Sequence, residues 1–169
     1  MVVDHQLHNM IKKFIYVVSF CLLTQVSFAA GDDSSSSSGS DNYLDQYKAA
    51  KKLINRGKKL QLKGKEKLAL KRYNAAYEKL LEAHKVERRN PDILNYLGFT
   101  LRKAGKYDQA EKYYLQGLEI KPDHNGINEY LGELYVQTNR IELAKERLEV
   151  LKNCNCEEYQ ELQEVINNN

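Results

Sequence analysis

The side chains with chemistry to offer are few, and their spacing narrows what they can do. Near the C-terminus stands Cys154-Asn155-Cys156. Cysteines one residue apart diverge or run parallel on a helix or strand, so they can bond only across a turn, in strained geometry. A bonded pair would clip the segment that follows, and a reactive one would support thiol–disulfide exchange. A link between two molecules is the remaining use, since a metal site needs more ligands than this pair supplies. Beyond the first thirty residues the histidines are His84 and His124. His84 lies on an apolar helical stripe and is expected to pack, whereas His124 follows Pro122 in a loop and is expected to face solvent. The sequence has no Gly-rich phosphate loop, no Ser-His-Asp set and no His-x-x-x-His helix. The expectation is a protein that is not an enzyme, takes no cofactor and binds no metal.

The rest of the chain is organised by repetition. Leu94-Asn95-Tyr96-Leu97-Gly98-Phe99-Thr100-Leu101 returns 34 residues later as Asn128-Glu129-Tyr130-Leu131-Gly132-Glu133-Leu134-Tyr135. Ala110 returns as Ala144 and Tyr114 as Leu148. Apolar residues at spacings of three and four predict helices over 92–104, 107–120, 126–138 and 141–152. Gly105 turns the first pair and Asn139 the second, because Asn tolerates the left-handed conformation better than other non-glycine residues. Gly98, Gly132, Ala110 and Ala144 are small where two helices must approach closely. Leu97, Leu101, Tyr114 and Leu118 fill the space between helices.

A 34-residue period carrying a Leu-Gly pair, an Ala-x-x-x-aromatic pair and then Pro122 resembles the tetratricopeptide repeat. The resemblance covers 91–124 and 125–153. It implies an all-α fold, a right-handed stack of antiparallel helical hairpins forming an α-solenoid, whose work is holding a protein or peptide partner. It also implies that the first helix of each hairpin lines a concave groove. Carried onto this chain, the groove residues are Asp92, Asn95, Phe99 and Arg102, then Gly126, Glu129, Glu133 and Val136. Phe99 beside Arg102 is the expected anchor pair, and Glu129 with Glu133 would favour a basic or amine-bearing segment. The Lys and Asn residues with which some relatives clamp a terminal carboxylate are not at these positions. Cys154 and Cys156 followed by Glu157-Glu158-Tyr159 resemble the ending of small exported tetratricopeptide proteins of proteobacteria. In 154–169, Leu162, Val165 and Ile166 fall at helical spacing, as a capping helix requires.

Residues 43–90 read as an elongated basic hairpin, with helices near 43–62 and 66–88 and a turn at Gly64. Gly64 lies 34 residues before Gly98, and Tyr73-x-x-Ala76 lies 34 before Tyr107-x-x-Ala110. In that register Lys63 and Lys67 would enter the core at a cost of several kcal/mol, roughly. The reading is therefore a degenerate repeat and not a strict third one.

Charge is segregated although the net is only +3. Residues 43–90 hold 15 Lys+Arg against 5 Asp+Glu, and 91–169 hold 9 against 14. Lys48, Lys51, Lys52, Lys58 and Lys59 form a basic patch suited to an acidic partner or weak contact with anionic lipid. The opposite halves also allow head-to-tail self-association, and no nucleic acid is expected. At the start, Lys12-Lys13, an apolar run over 14–23 and Ser27-Phe28-Ala29 have the layout of a signal peptide, 1–29, cut after Ala29. The run is short for a membrane span, though a retained anchor is the alternative. A flexible Ser-rich leader is expected at 30–42, and the mature protein is expected to be periplasmic or secreted.

Overall fold

The computed structural model describes residues 38–169, and every regular element among them is an α-helix. These are α1 (Ser38–Gln61), α2 (Glu66–Val86), α3 (Pro91–Lys103), α4 (Tyr107–Ile120), α5 (Asn125–Gln137), α6 (Ile141–Leu151) and α7 (Glu157–Asn167). Three hairpins, α1–α2, α3–α4 and α5–α6, stack in chain order, and α7 closes the far end against α5 and α6. Buried apolar residues run continuously from Ala50 to Leu162, so the all-α solenoid is the fold of this chain. The expected signal peptide lies outside the described residues, as does the leader as far as residue 37. The leader is shorter than expected, because α1 begins at Ser38, ahead of the anticipated caps Asp41 and Asn42.

Helix starts are set by local chemistry. Asn90 caps α3, its Oδ1 accepting from the backbone N–H of Asp92 (3.0 Å) and Ile93 (3.2 Å), with Pro91 in the first turn. His124 caps α5: its Nδ1 accepts from Ile127 N–H at 3.2 Å, and its Nε2 lies 3.2 Å from Asp92 Oδ1. His124 is thus not a solvent-facing loop residue, as its position after Pro122 suggested. It ties the start of one hairpin to the start of the next.

The three turns are copies of one another. Gly64, Gly105 and Asn139 have φ of 67°, 73° and 58°. Each donates its N–H three residues back, to Gln61, Arg102 and Val136, and the following residue reaches Leu60, Leu101 or Tyr135. This pair of backbone hydrogen bonds ends a helix on a left-handed residue, a position where Asn is tolerated and Gly is free of penalty.

Those turns correct the reading of the first hairpin. Gly64 corresponds to Gly105, which sets an offset of 41 residues, not 34. In the same register Gly57 corresponds to Gly98, Ala69 to Ala110, Tyr73 to Tyr114 and Ala76 to Gly117. An added Cβ on Gly57 would strike the Tyr73 ring, as one on Gly98 would strike Tyr114. Ala69, Tyr73 and Ala76 are all buried, while Lys63 and Lys67 are exposed. At these positions the first hairpin packs as the second does, while Arg56, in the register of the buried Leu97, is exposed. The extra length resides in α2, which has 21 residues against 14 in α4.

At the opposite end, Gly132 receives Leu162 of α7, where an added Cβ would collide with the leucine side chain. Arg140 locks the last hairpin to the middle one, its two Nη atoms donating to the Glu111 carboxylate at 2.9 and 2.8 Å.

Candidate functional site

The face formed by α1, α3 and α5 carries the densest polar and aromatic cluster. Phe99 meets Tyr73 edge-on at 5.4 Å and Tyr130 at 5.0 Å between ring centroids. Lys58 on α1 crosses the face and donates from Nζ to Tyr130 Oη at 2.9 Å. The Lys58 ammonium, the Arg102 guanidinium and the Lys103 ammonium all lie over the Phe99 ring, at 5.3, 5.7 and 5.5 Å. Such cation–aromatic contacts gain strength where water is excluded.

Arg102 sits in the middle of this cluster, its side chain 1% exposed, with Nη1 2.6 Å from Glu133 Oε2. At that distance the contact with Glu133 is a charge-assisted one, and Tyr114 lies against the same guanidinium. Burial works to lower its pKa, and Tyr114 with Glu133 more than offset that, leaving it raised. The Lys103 pKa is lowered by burial and then by Arg102 and Lys58.

This arrangement changes the meaning of the expected groove residues. Phe99 is 1% and Arg102 2% exposed, so the anchor pair serves the protein's own core and is not displayed to a partner. Asn95, Glu129 and Val136 are buried too. Glu133 is committed to Arg102, Gly126 is half-buried against Asn95, and Asp92 engages His124 at an exposed edge. Burial, with Glu161 of α7 and the nearby Glu133, pushes the Glu129 pKa up to about 10. Glu129 therefore carries a proton at neutral pH. The acidic lining expected from Glu129 and Glu133 is absent as a net charge, and so is its preference for a basic segment.

The residues left to meet a partner are Lys58 and Lys103 at the rim. Lys58 had been counted only in the α1 patch. Its place here follows once the 41-residue offset is seen, for Lys58 is then the counterpart of Phe99. Lys48, Lys51, Lys52 and Lys59 are exposed on α1, apart from this cluster.

Cys154 and Cys156 are bonded to each other, with Cα atoms 5.2 Å apart. Asn155 between them takes φ +50°, and Cys156 is the residue from which α7 starts. Elsewhere, His84 packs edge-on against Tyr113 at 6.1 Å, its pKa lowered by burial and then by Arg88. Among the described residues no three His, Cys, Asp or Glu side chains are grouped to hold a metal. No described helix is long and apolar enough to cross a membrane.

This combination of stacked hairpins and small residues at helix crossings defines a helical-repeat solenoid. Residues 91–124 match the family model described as Tetratricopeptide repeat, so the chain carries that repeat and resembles proteobacterial tetratricopeptide proteins. It is 40% identical over 62 residues to TPR repeat-containing protein PA4667 of Pseudomonas aeruginosa, covering 37% of this chain and 10% of that protein. It is 30% identical over 74 residues to the human Protein O-mannosyl-transferase TMTC3, covering 44% of this chain and 8% of that one. The chain thus spans about a tenth of the length of the curated relatives it matches. Among solved structures, the Yersinia enterocolitica type III secretion translocator chaperone SycD superposes with a TM-score of 0.50 at 18% identity, over 72% of this chain and 88% of that one. That likeness is one of fold.

Proposed function

We propose that the protein is an exported interaction module that holds an acidic segment of a partner protein against its first-helix face. The observation that supports this reading is the pair of ammonium groups, Lys58 and Lys103, set over the Phe99 ring at the rim, above an Arg102 guanidinium already held by Glu133. Glu133 is committed to Arg102 and burial holds Glu129 in its protonated form, which leaves Glu66 as the carboxylate acting on Lys103 without such a commitment. A carboxylate brought to this rim would find cations already placed and partly desolvated, where charge-assisted bonds are strongest. Export rests on the N-terminal sequence pattern, and the partner's chemistry on this charge balance.

Head-to-tail assembly is less favoured, because α7 covers the end face of the last hairpin on which another copy would stack. The test is fluorescence-anisotropy titration with an Asp/Glu-rich peptide and a Lys/Arg-rich peptide of equal length. The acidic peptide should bind in a salt-sensitive manner and be lost in the Lys58→Gln, Lys103→Gln double variant. Binding of the basic peptide alone, or acidic binding indifferent to the double variant, would sink the proposal.

A further inference from the structure

The three turns share one backbone but end in different side chains. Two residues before the left-handed residue stand Leu62, Lys103 and Gln137 in the first, second and third hairpins. Leu62 is 88% exposed, and Leu68 and Leu70 just beyond the turn are 47% and 38% exposed. Around them, Lys59, Lys63, Lys65, Lys67, Lys71 and Arg72 are all exposed, and Glu66 is the one carboxylate within residues 59–72. The tip of the first hairpin is thus a convex apolar point ringed by cations, built where the other hairpins place a polar residue.

We propose that this tip docks on an anionic lipid surface, with Leu62 entering the headgroup–acyl boundary and the lysines meeting the headgroups. Charge complementarity selects the sign of the surface. The shape selects lipid over an acidic protein. Leu62 projects from an apex, so a rigid partner would need a matching socket, whereas a deformable bilayer supplies one wherever the tip lands. Lysines with long apolar stems suit that boundary, because the stems lie along the apolar layer while the ammonium groups stay wet. This places lipid contact at the tip and not at Lys48, Lys51 and Lys52, which lie roughly 15–20 Å back along α1 at 1.5 Å per residue. The tip adjoins the acidic-segment site, since Leu62 N–H donates to the Lys58 carbonyl one turn back. The Lys63, Lys65 and Lys67 substitutions leave Lys58 and Lys103 in place, and so tell the two readings apart.

The chain contains no tryptophan, which makes a single introduced indole a clean local probe. Leu62→Trp and, at the equivalent exposed position, Gln137→Trp would be made in the full chain, with helix content checked by circular dichroism. Each is titrated with phosphatidylglycerol or phosphatidylcholine vesicles at low salt, with and without brominated acyl chains. Leu62→Trp should shift to the blue and be quenched by brominated lipid only on the anionic vesicles, while Gln137→Trp stays unchanged. Adding Lys63→Gln, Lys65→Gln and Lys67→Gln to Leu62→Trp should lower partitioning roughly a hundredfold. No shift at Leu62→Trp would overturn the proposal. An equal shift at Gln137→Trp would overturn it too, since the whole chain would then be adsorbing. A shift with polyglutamate but not with vesicles would reassign the tip to an acidic protein.

Discussion

In the first hairpin Tyr73 closes over Gly57, and in the second Tyr114 closes over Gly98. Both pairs are sixteen residues apart and both tyrosines are buried, at 2% and 0% exposure. Outside that shared frame the hairpins diverge. The first has a second helix seven residues longer, a run of lysines and an apolar tip, whereas the second has a polar tip and a buried charge pair. The difference teaches that a few contact positions fix how hairpins stack, and that helix length and surface charge are free to vary around them.

That comparison can be broken most forcefully at the tyrosines. Tyr73→Ala and Tyr114→Ala should each cost about 3–5 kcal/mol, as measured by urea unfolding, because each removes a large buried ring and leaves a cavity. Similar costs would mean the two frames are equivalent in energy as well as shape. A loss below about 1 kcal/mol for Tyr73→Ala alone would reduce the first hairpin to an appendage.

The charge pair is peculiar to the middle and last hairpins. Glu133→Gln should cost about 3 kcal/mol, since it leaves Arg102 buried with its charge uncompensated. Loss of helix signal in thermal denaturation reports it, and a neutral result would show that Arg102 draws its compensation elsewhere.

Glu129 gives a prediction in pH. Its pKa is about 10 in the fold against an ordinary 4.5, so the folded state holds a proton that the unfolded chain releases. Its stabilising contribution is complete below about pH 4.5 and is lost as pH rises toward about 10. Urea midpoints at about pH 5, 7 and 9 should therefore fall with rising pH in the native chain. Glu129→Gln, which keeps a neutral group in the same space, should flatten that fall. An unchanged slope would place the proton elsewhere.

The smallest effect concerns the turns. Asn139→Gly should stabilise by up to about 1 kcal/mol, because glycine adopts the left-handed conformation without steric cost. Gly105→Asn should lose a similar amount, and equal and opposite shifts in Tm would confirm that the two turns are interchangeable.

Much of the fold was legible in the sequence. The helices over 92–104, 107–120, 126–138 and 141–152 appear within a residue or so of their expected limits, since apolar spacing and the turn residues Gly105 and Asn139 act locally. The two helices of the first hairpin and its turn at Gly64 were legible as well. Its register against the other hairpins was not, because the period of 34 does not extend to it. The usable signal was the internal spacing Gly57 to Tyr73, which matches Gly98 to Tyr114 whatever the distance between repeats. The site was less legible. Position within a repeat indicates which face Phe99, Arg102 and Glu129 occupy. It does not reveal that Lys58 and Tyr130 close over that face, or that Glu161 of α7 lies against Glu129. Those contacts join residues far apart in the chain, and their burial depends on the curvature of the stack.

The seven added residues of α2 amount to nearly two full helical turns, about 10 Å along its axis. The chain therefore leaves α2 at almost the same azimuth it would have without them, about 20° short of two whole rotations. Asn90 and Pro91 consequently enter α3 facing the neighbours they need. Lengthening by five residues would instead send the exit to nearly the opposite side of the helix. In a stack of this kind, insertions are tolerated by angle and not by size, and α2 behaves as a spacer that can grow only in whole turns.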